Sequence, residues 1–339
     1  MENRVNVAVD VMGGDNAPLE PIKGAIEAVN QDSGVHVTLV GQQEVILEAL
    51  KEHTYDEKRV IVVDAREIID TAESPVMAIR KKKDSSIVRG LTLVKEGTCD
   101  GFVSAGSTGA VLVGGQVIVG RIKGVERPPL APLIPTENGA SLLIDCGANV
   151  DARPSHLVQF AKMGSIYMKY VVGIDNPSVG IVNNGAEEEK GNALVKETFP
   201  LLKECNDLNF IGSVEAREIP SGMADVIVCE AFVGNVILKL YEGVGLMLLR
   251  KIKQGMLSNV RSKIGALLVK PALKETLKTF DLDQYGGAPL LGLKGLVVKT
   301  HGSSKSAEIK NSILQCATFQ KEGMVEKITQ AFAREEGTK

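Results

Sequence analysis

Residues 7–29, VAVDVMGGDNAPLEPIKGAIEAV, begin as a buried strand, break at a glycine pair set between two aspartates, and continue as a helix. Gly13 and Gly14 let the backbone approach a ligand closely, and Pro18 and Pro21 suit the first turn of the helix that follows. A helix N-terminus attracts anions, yet Asp10 and Asp15 oppose them unless a cation or many backbone amides offset their charge. Two readings stay open at this point. Either Asp10 ends a strand and Asp15 caps a helix with no ligand present, or the two acids flank a binding turn.

Outward from this unit the same rhythm recurs. Strand-like runs at 35–40, 59–63, 100–104, 141–146, 178–182, 208–212, 224–229 and 296–300 are short, rich in Val and Ile, apolar on both faces and separated by helical stretches. That is the signature of parallel strands buried on both sides, and it predicts an α/β fold with an open, doubly wound sheet. From about 250 to 285 the rhythm lapses into a projecting helical element. Within it Val260, Ile264, Leu267 and Leu268 form an apolar stripe with Arg261, Lys263 and Lys270 nearby, a face suited to a second subunit, the body or an anionic membrane.

Composition narrows the class. The 339 residues are 44% hydrophobic and 24% charged, ordinary for a soluble globular protein. A net charge of -3 argues against a nucleic-acid partner. The five cysteines are scattered without paired spacing, which suits a reducing cytoplasm and offers no metal site. No apolar signal segment opens the chain, and no uninterrupted apolar run approaches the ~20 residues of a membrane span, so the expectation is a cytoplasmic protein able at most to lie on a membrane.

In open α/β sheets ligands bind beyond the carboxyl ends of the strands. Six strand ends here carry Gly with Asp, Asn, Ser or His: DVMGGD, SAGSTGA (104–110), DCGAN (145–149), NNGAEEEKGN (183–192), CEAFVGN (229–235) and HGSS (301–304). The serine-rich loop places Ser104, Ser107 and Thr108 beside Gly106 at a helix start near Ala110, a neutral site that a phosphate fits, without the lysine of a Walker loop. His301 ends an apolar strand beside Ser303, whereas His36, His53 and His156 fall on a strand start and helices as structural residues. Lys190 and Asn192 follow a glycine turn; Asn235 and Lys239 lie one turn apart on a helix starting near Val233. These types neutralise phosphate or donate to an oxyanion, and no GxSxG elbow points to a serine hydrolase. The basic cluster RKKKD (80–84), with Lys81 and Lys82, joins Arg121 and Lys123 as the densest positive charge, a landing surface for a small acidic protein.

Taken in order, VDVMGGDNAP (9–18), SAGSTGA (104–110), VGRIKGVERPPLAPLIPT (119–136), DCGANVDARPSHLVQFAKMGS (145–165), EEKGN (188–192), FIGSVEAR (210–217), AFVGNVILKLYEG (231–243) and YGGAPLLGLKGLVVKTHGSS (285–304) resemble the signature of bacterial phosphate acyltransferases of phospholipid synthesis. Ser107 stands where asparagine is usual, and Glu230-Ala231 replaces Asp-Gly. The resemblance implies one α/β/α domain over 1–339, a three-layer sandwich with a mostly parallel sheet, related to phosphotransacetylases and the isocitrate dehydrogenase-like fold. It also implies a homodimer, peripheral membrane association, no organic cofactor, and transfer of a fatty acyl group from acyl carrier protein to inorganic phosphate. The acyl phosphate then serves a downstream glycerol-3-phosphate acyltransferase.

On this basis phosphate is assigned to Gly106, Ser107 and Thr108 with Lys190 and His301, and the oxyanion to Asn235 or a backbone amide. Asp10 and Asp15 orient those donors or hold a lysine, while Gly13, Gly14, Asn149, Asn192, Lys239 and Ser303 complete the binding surface. Two rivals fare worse. A metal- and nicotinamide-dependent decarboxylating dehydrogenase of related fold needs convergent aspartates and an adenosine pocket, neither evident in the sequence. A non-catalytic scaffold for acyl carrier protein has no use for a phosphate-sized crevice.

Overall fold

The first strand, β1 (Val5–Asp10), sends Val5, Val7 and Val9 to one face and Ala8 to the other, because successive strand side chains alternate. The computed structural model describes residues 4–278 and 284–336. After β1 the chain runs through α1 (Leu19–Gln31), β2 (Val35–Gly41), α2 (Gln43–Leu50), β3 (Val60–Asp64), α3 (Pro75–Lys81), α4 (Ser86–Lys95), β4 (Gly101–Ser104) and α5 (Thr108–Gly114). Next come β5 (Leu133–Thr136), β6 (Gly139–Ile144), α6 (Pro154–Tyr167), β7 (Ser178–Asn183), α7 (Ala193–Lys203), β8 (Asn209–Glu215) and β9 (Val226–Val228). The chain then forms α8 (Ala231–Met256), α9 (Val260–Lys278), β10 (Ala288–Leu290), β11 (Leu296–Lys299), α10 (Ser306–Lys321) and α11 (Met324–Glu336).

The strands form two sheets where the sequence reading expected one. Six strands take the order β10-β11-β4-β1-β2-β3 and five the order β5-β6-β9-β7-β8. A strongly twisted sheet rarely exceeds about ten strands without splitting, and the division relieves that accumulated twist. One apolar cluster joins the two: Val7 and Val9 of β1, Leu142 and Ile144 of β6, and Val226 and Val228 of β9 share it with Phe160 of α6 and Ile313 of α10. The opposite faces are covered separately, the first by Ile79, Leu91 and Val111 of α3, α4 and α5, the second by side chains that include Val233 and Ile237 of α8. The result is an α/β/α sandwich with mostly parallel pairing.

Two strands escaped the sequence reading. Both β5 and β10 are antiparallel sheet edges, and each carries a proline, Pro135 and Pro289, that cannot donate to a ladder. His53 lies in the loop after α2 and not on a helix. The helical element begins earlier than 250: α8 is one 26-residue helix, long and apolar enough by length and composition to cross a bilayer, with 6% of its most apolar stretch buried. The expectation that no segment approaches that length overlooked that the Lys239–Glu242 pair, 2.8 Å apart, is the only charged interruption before Arg250. Of the segment expected to end near 285, residues 279–283 lie outside the described residues.

Candidate active site

Strand register builds the first rim. Ser104 of β4 is paired with Asp10 of β1 on one side and with Lys299 of β11 on the other, so three polar side chains end three adjacent strands in one row. All three are buried. The Ser104 hydroxyl donates to Asp10 Oδ2 at 2.7 Å and the Met12 amide to Oδ1 at 3.1 Å, while Lys299 Nζ donates to the Thr300 carbonyl. Burial pushes the Asp10 carboxyl above its ordinary value, opposed by hydrogen bonds from Ser86, Ser104 and Met12 and by the Lys299 charge. Burial likewise lowers Lys299 to about 8, opposed by Glu308 and Asp10. Asp10 thus shares a row with an ammonium two strands away, whose charge favours its ionised form.

The glycine turn docks on its neighbours backbone to backbone. A Cβ at Gly13 would stand 2.4 Å from Asp10 Oδ2 and 2.6 Å from the Gly106 nitrogen, so only glycine fits. Gly14 adopts φ +96°, and the next amide, that of Asp15, donates to the Gly302 carbonyl at 2.7 Å. Asn16 Nδ2 donates to the Ser303 and Ser304 carbonyls at 2.9 and 3.1 Å. The exposed His301 sets Nδ1 2.8 Å from Ser303 Oγ, and its amide donates to Glu308 Oε1 at 3.1 Å. The structure thus brings Asp10, Gly13, Gly14, Asp15, Gly106, His301 and Ser303 to one rim.

The serine loop differs from its expected use. Ser104 serves Asp10, and the buried Ser107 caps α5 by accepting from the Ala110 amide at 3.4 Å. The Gly106 amide donates to Ser104 Oγ at 3.0 Å, which leaves Thr108 as the exposed hydroxyl. A phosphate there meets one free hydroxyl and the start of a helix, not three hydroxyls.

The second rim is built around Asp145, which follows β6 and is fully buried. Its carboxylate accepts from the amides of Leu130, Ala148 and Asn149 at 2.9, 3.2 and 2.8 Å and from Asn149 Nδ2 at 2.8 Å. Burial still raises it to about 6. Asn149 also donates to the Pro128 carbonyl at 3.0 Å, so this predicted substrate ligand is the wall of a carboxylate cage. Asn192 caps α7 through the Val195 amide at 2.9 Å, and Lys190 pairs with Glu187 at 3.0 Å instead of joining the first rim. Glu230 caps α8 by accepting from Phe232 and Val233 at 2.6 and 3.0 Å. Gly234 lies so close to Asp145 that a Cβ would meet its carbonyl oxygen at 1.9 Å. Asn235 and Lys239 are exposed on the following turns, and the Lys239 charge is near enough to lower Lys299 further. Helix α8 therefore starts at the second rim.

Known proteins of similar sequence show the family. Residues 5–327 match the family described as fatty acid synthesis protein. A phosphate acyltransferase of Clostridium beijerinckii is 50% identical over 332 residues, covering 98% of this chain and all of that protein. One from Clostridium perfringens is 49% identical over 330 residues, 97% of each chain. The chain belongs to the phosphate acyltransferase family. It is accordingly an acyltransferase with a place in fatty acid metabolism. In fold it is similar to a phosphotransacetylase from Streptococcus pyogenes, with TM-score 0.61 at 19% identity over 94% of each chain.

Three residues of this family member were given no role from the sequence: Lys299, Glu308 and Asp145, the last within the DCGAN strand end. The signal for Lys299 was available, a lysine closing an otherwise apolar strand, LVVK. Among the described residues no three His, Cys, Asp or Glu side chains gather as a metal-holding cluster. Of the basic surface, Lys82 is engaged by Glu73 and the Ile68 carbonyl, both at 2.6 Å, and Arg121 by the Glu126 carbonyl. Lys81 and Lys123 are exposed. Val260, Ile264, Leu267 and Leu268 are also exposed, the last at 76%, so they add nothing to the core of this chain.

Proposed function

We propose that the chain transfers a fatty acyl group from the thioester of acyl carrier protein to inorganic phosphate, releasing acyl phosphate. A phosphate oxygen attacks the thioester carbonyl carbon, the tetrahedral intermediate collapses, the C–S bond breaks and the thiolate leaves to take up a proton. Phosphate is already anionic near neutral pH, so no side-chain nucleophile with its own base is required. The protein must position two substrates, supply donors to the oxyanion and exclude water. The observation that carries this reading is the convergence of loops 10–15, 104–108 and 301–304 on the Asp10–Ser104–Lys299 row.

In this reading Thr108, the amides of Ser107 and Thr108 and His301 hold phosphate against the Gly106 turn, with Lys190 reaching it once released from Glu187. Asn235 or a backbone amide meets the oxyanion, and Asp10 and Asp15 keep the cations in place. The decisive experiment mixes purified protein, acyl carrier protein thioester and phosphate, and traps the product with hydroxylamine. Acyl hydroxamate that depends on phosphate supports the reading; its absence, or an acylated protein side chain as an obligatory intermediate, defeats it. Acyl coenzyme A in place of the carrier thioester tests the donor class.

The same reading has the protein act as a cytoplasmic homodimer resting on an anionic membrane and passing acyl phosphate to a glycerol-3-phosphate acyltransferase. Support comes from α8 and α9, whose Leu240, Leu246, Leu248, Ile264 and Leu267 are exposed among Arg250, Lys251, Lys253, Arg261 and Lys263. Apolar and basic side chains on one exposed element suit anionic lipid. Sedimentation with anionic vesicles, and not with zwitterionic ones, is the expected result.

A further inference from the structure

A cavity of about 340 Å³ opens at the second rim, where β7 and β9 end, and its size falls within the ~300–1,000 Å³ usual for small-molecule sites. Its apolar wall is Leu157, Ile181, Val182, Leu194, Val195 and Val233. Of the five polar side chains that line it, four are already engaged, and only that of the exposed Asn184 is open. Asn183 donates to Ser213 Oγ at 3.0 Å and to the Lys190 carbonyl at 3.2 Å, and its oxygen accepts from the Asn184 amide at 2.8 Å. Asn192 and Glu230 each cap a helix, and the Cys229 thiol points at the Asp145 carbonyl. Beyond Asn184 the cavity offers a guest hydrocarbon surface, and a polar guest would lose more water than that one amide replaces.

Helix α8 gives the cavity a distance from the reacting centre. Val233 lines it, and Lys239 lies less than two turns further on, about 9 Å along the axis at ~1.5 Å per residue. Asn235, the oxyanion donor of the proposed reaction, stands two residues beyond Val233 on the same helix, and Gly191 and Asn192 of the Lys190 loop also line the cavity. We infer that this cavity is the slot for the hydrocarbon chain of the acyl thioester, with the carbonyl carbon left at the first rim beside phosphate. The inference rests on the proposed reaction and assigns the part of it that selects chain length.

The test replaces two wall residues by larger ones, Val195→Phe and Val233→Phe, and one by a smaller one, Leu194→Ala. Each variant is assayed by hydroxylamine trapping with butyryl and palmitoyl carrier thioesters, alongside its thermal unfolding midpoint. Filling the slot should lower kcat/KM for palmitoyl about tenfold relative to butyryl, the scale on which apolar pockets discriminate, and Leu194→Ala should raise that ratio. If a Phe variant fails to fold, Leu194→Ala alone decides through the direction of its ratio. An unchanged ratio in the folded variants, or equal loss on both thioesters, overturns the slot. Absence of acyl hydroxamate from the wild type with either thioester instead overturns the reaction on which it rests.

Discussion

Asp10 and Asp145 close the first strand of one sheet and a central strand of the other, both are buried, and burial pushes both above the ordinary carboxyl value. Their partners differ in kind. Asp145 is enclosed by four N–H groups from a single stretch and its neighbour loop, a cage that a fixed backbone makes without any cation. Asp10 has the hydroxyls of Ser86 and Ser104 and one amide, and the Lys299 ammonium ends the next strand beyond Ser104. Donors fixed in the backbone hold a loop in shape, whereas mobile hydroxyls and a lysine can respond when an anion arrives. The first rim is thus the place for charge, and the second is a rigid frame for an apolar slot.

The largest effect expected from breaking this contrast is at the cage. Asp145→Ala leaves the amides of Leu130, Ala148 and Asn149 buried without an acceptor and should cost on the order of 3 kcal/mol in urea unfolding. The pH dependence has a definite sign. Because the folded value is raised from 3.8 to about 6, the native state binds more protons than the unfolded chain between them. Asp145's contribution is therefore full below pH 3.8 and declines as pH rises through about 6. The stability gap between wild type and variant should narrow over that window; a constant gap would mean the carboxyl is not desolvated.

Next in size is the loss of the cation from the first rim. Lys299→Met should keep the KM for thioester and lower kcat about a hundredfold, the usual scale for removing a fixed charge or donor near a developing oxyanion. Lys299 is protonated below about 8 and loses its charge above, so wild-type kcat should fall as pH rises through that value. The methionine variant should lack that alkaline limb and Lys299→Arg should move it upward. An identical limb in all three proteins would remove Lys299 from the reaction. A smaller change is expected at Asp15, whose charge reaches Lys299 from the turn docked on Gly302. Asp15→Ala should reduce kcat about tenfold with an unaltered unfolding midpoint, and full turnover would show that the turn needs only its backbone.

The difference between the rims also governs what could be read in advance. Strand ends were legible because parallel strands buried on both faces advertise themselves as short Val/Ile runs ending in Gly, Asp or Asn. The edge strands β5 and β10 were not, since Pro135 and Pro289 disguise them as loops. At the site, the residues that meet through backbone docking, Gly13, Gly14 and Gly106, were found from glycine placement alone. Ser104, Ser107, Asn149 and Asn192 carry structural bonds that the sequence did not reveal, because the same side chains that hold ligands also hold helix ends and carboxylates. Lys299 and Glu308 stayed hidden because register, which sets Lys299 opposite Ser104, is a property of strand order.

The smallest expected effect lies outside both rims, where carrier protein would land. Two basic surfaces compete: the cluster around Lys81, and the α8–α9 pair. Lys82 is a poor probe because Glu73 and the Ile68 carbonyl engage it, so reversing its charge would disturb the loop before α3. Lys81 is exposed at the end of that helix and reports on charge alone. Lys81→Glu should raise the apparent KM for acyl carrier protein about threefold at low salt, as expected for one exposed charge at an interface rim. The difference should vanish at ~1 M salt, where the screening length is about 3 Å, and should be absent with acyl coenzyme A. If KM for carrier protein is unchanged at low salt, the landing surface is not the 80–84 cluster. The exposed basic residues of α8 and α9 would then have to receive the carrier as well as lipid, and vesicles should compete with carrier protein for the enzyme.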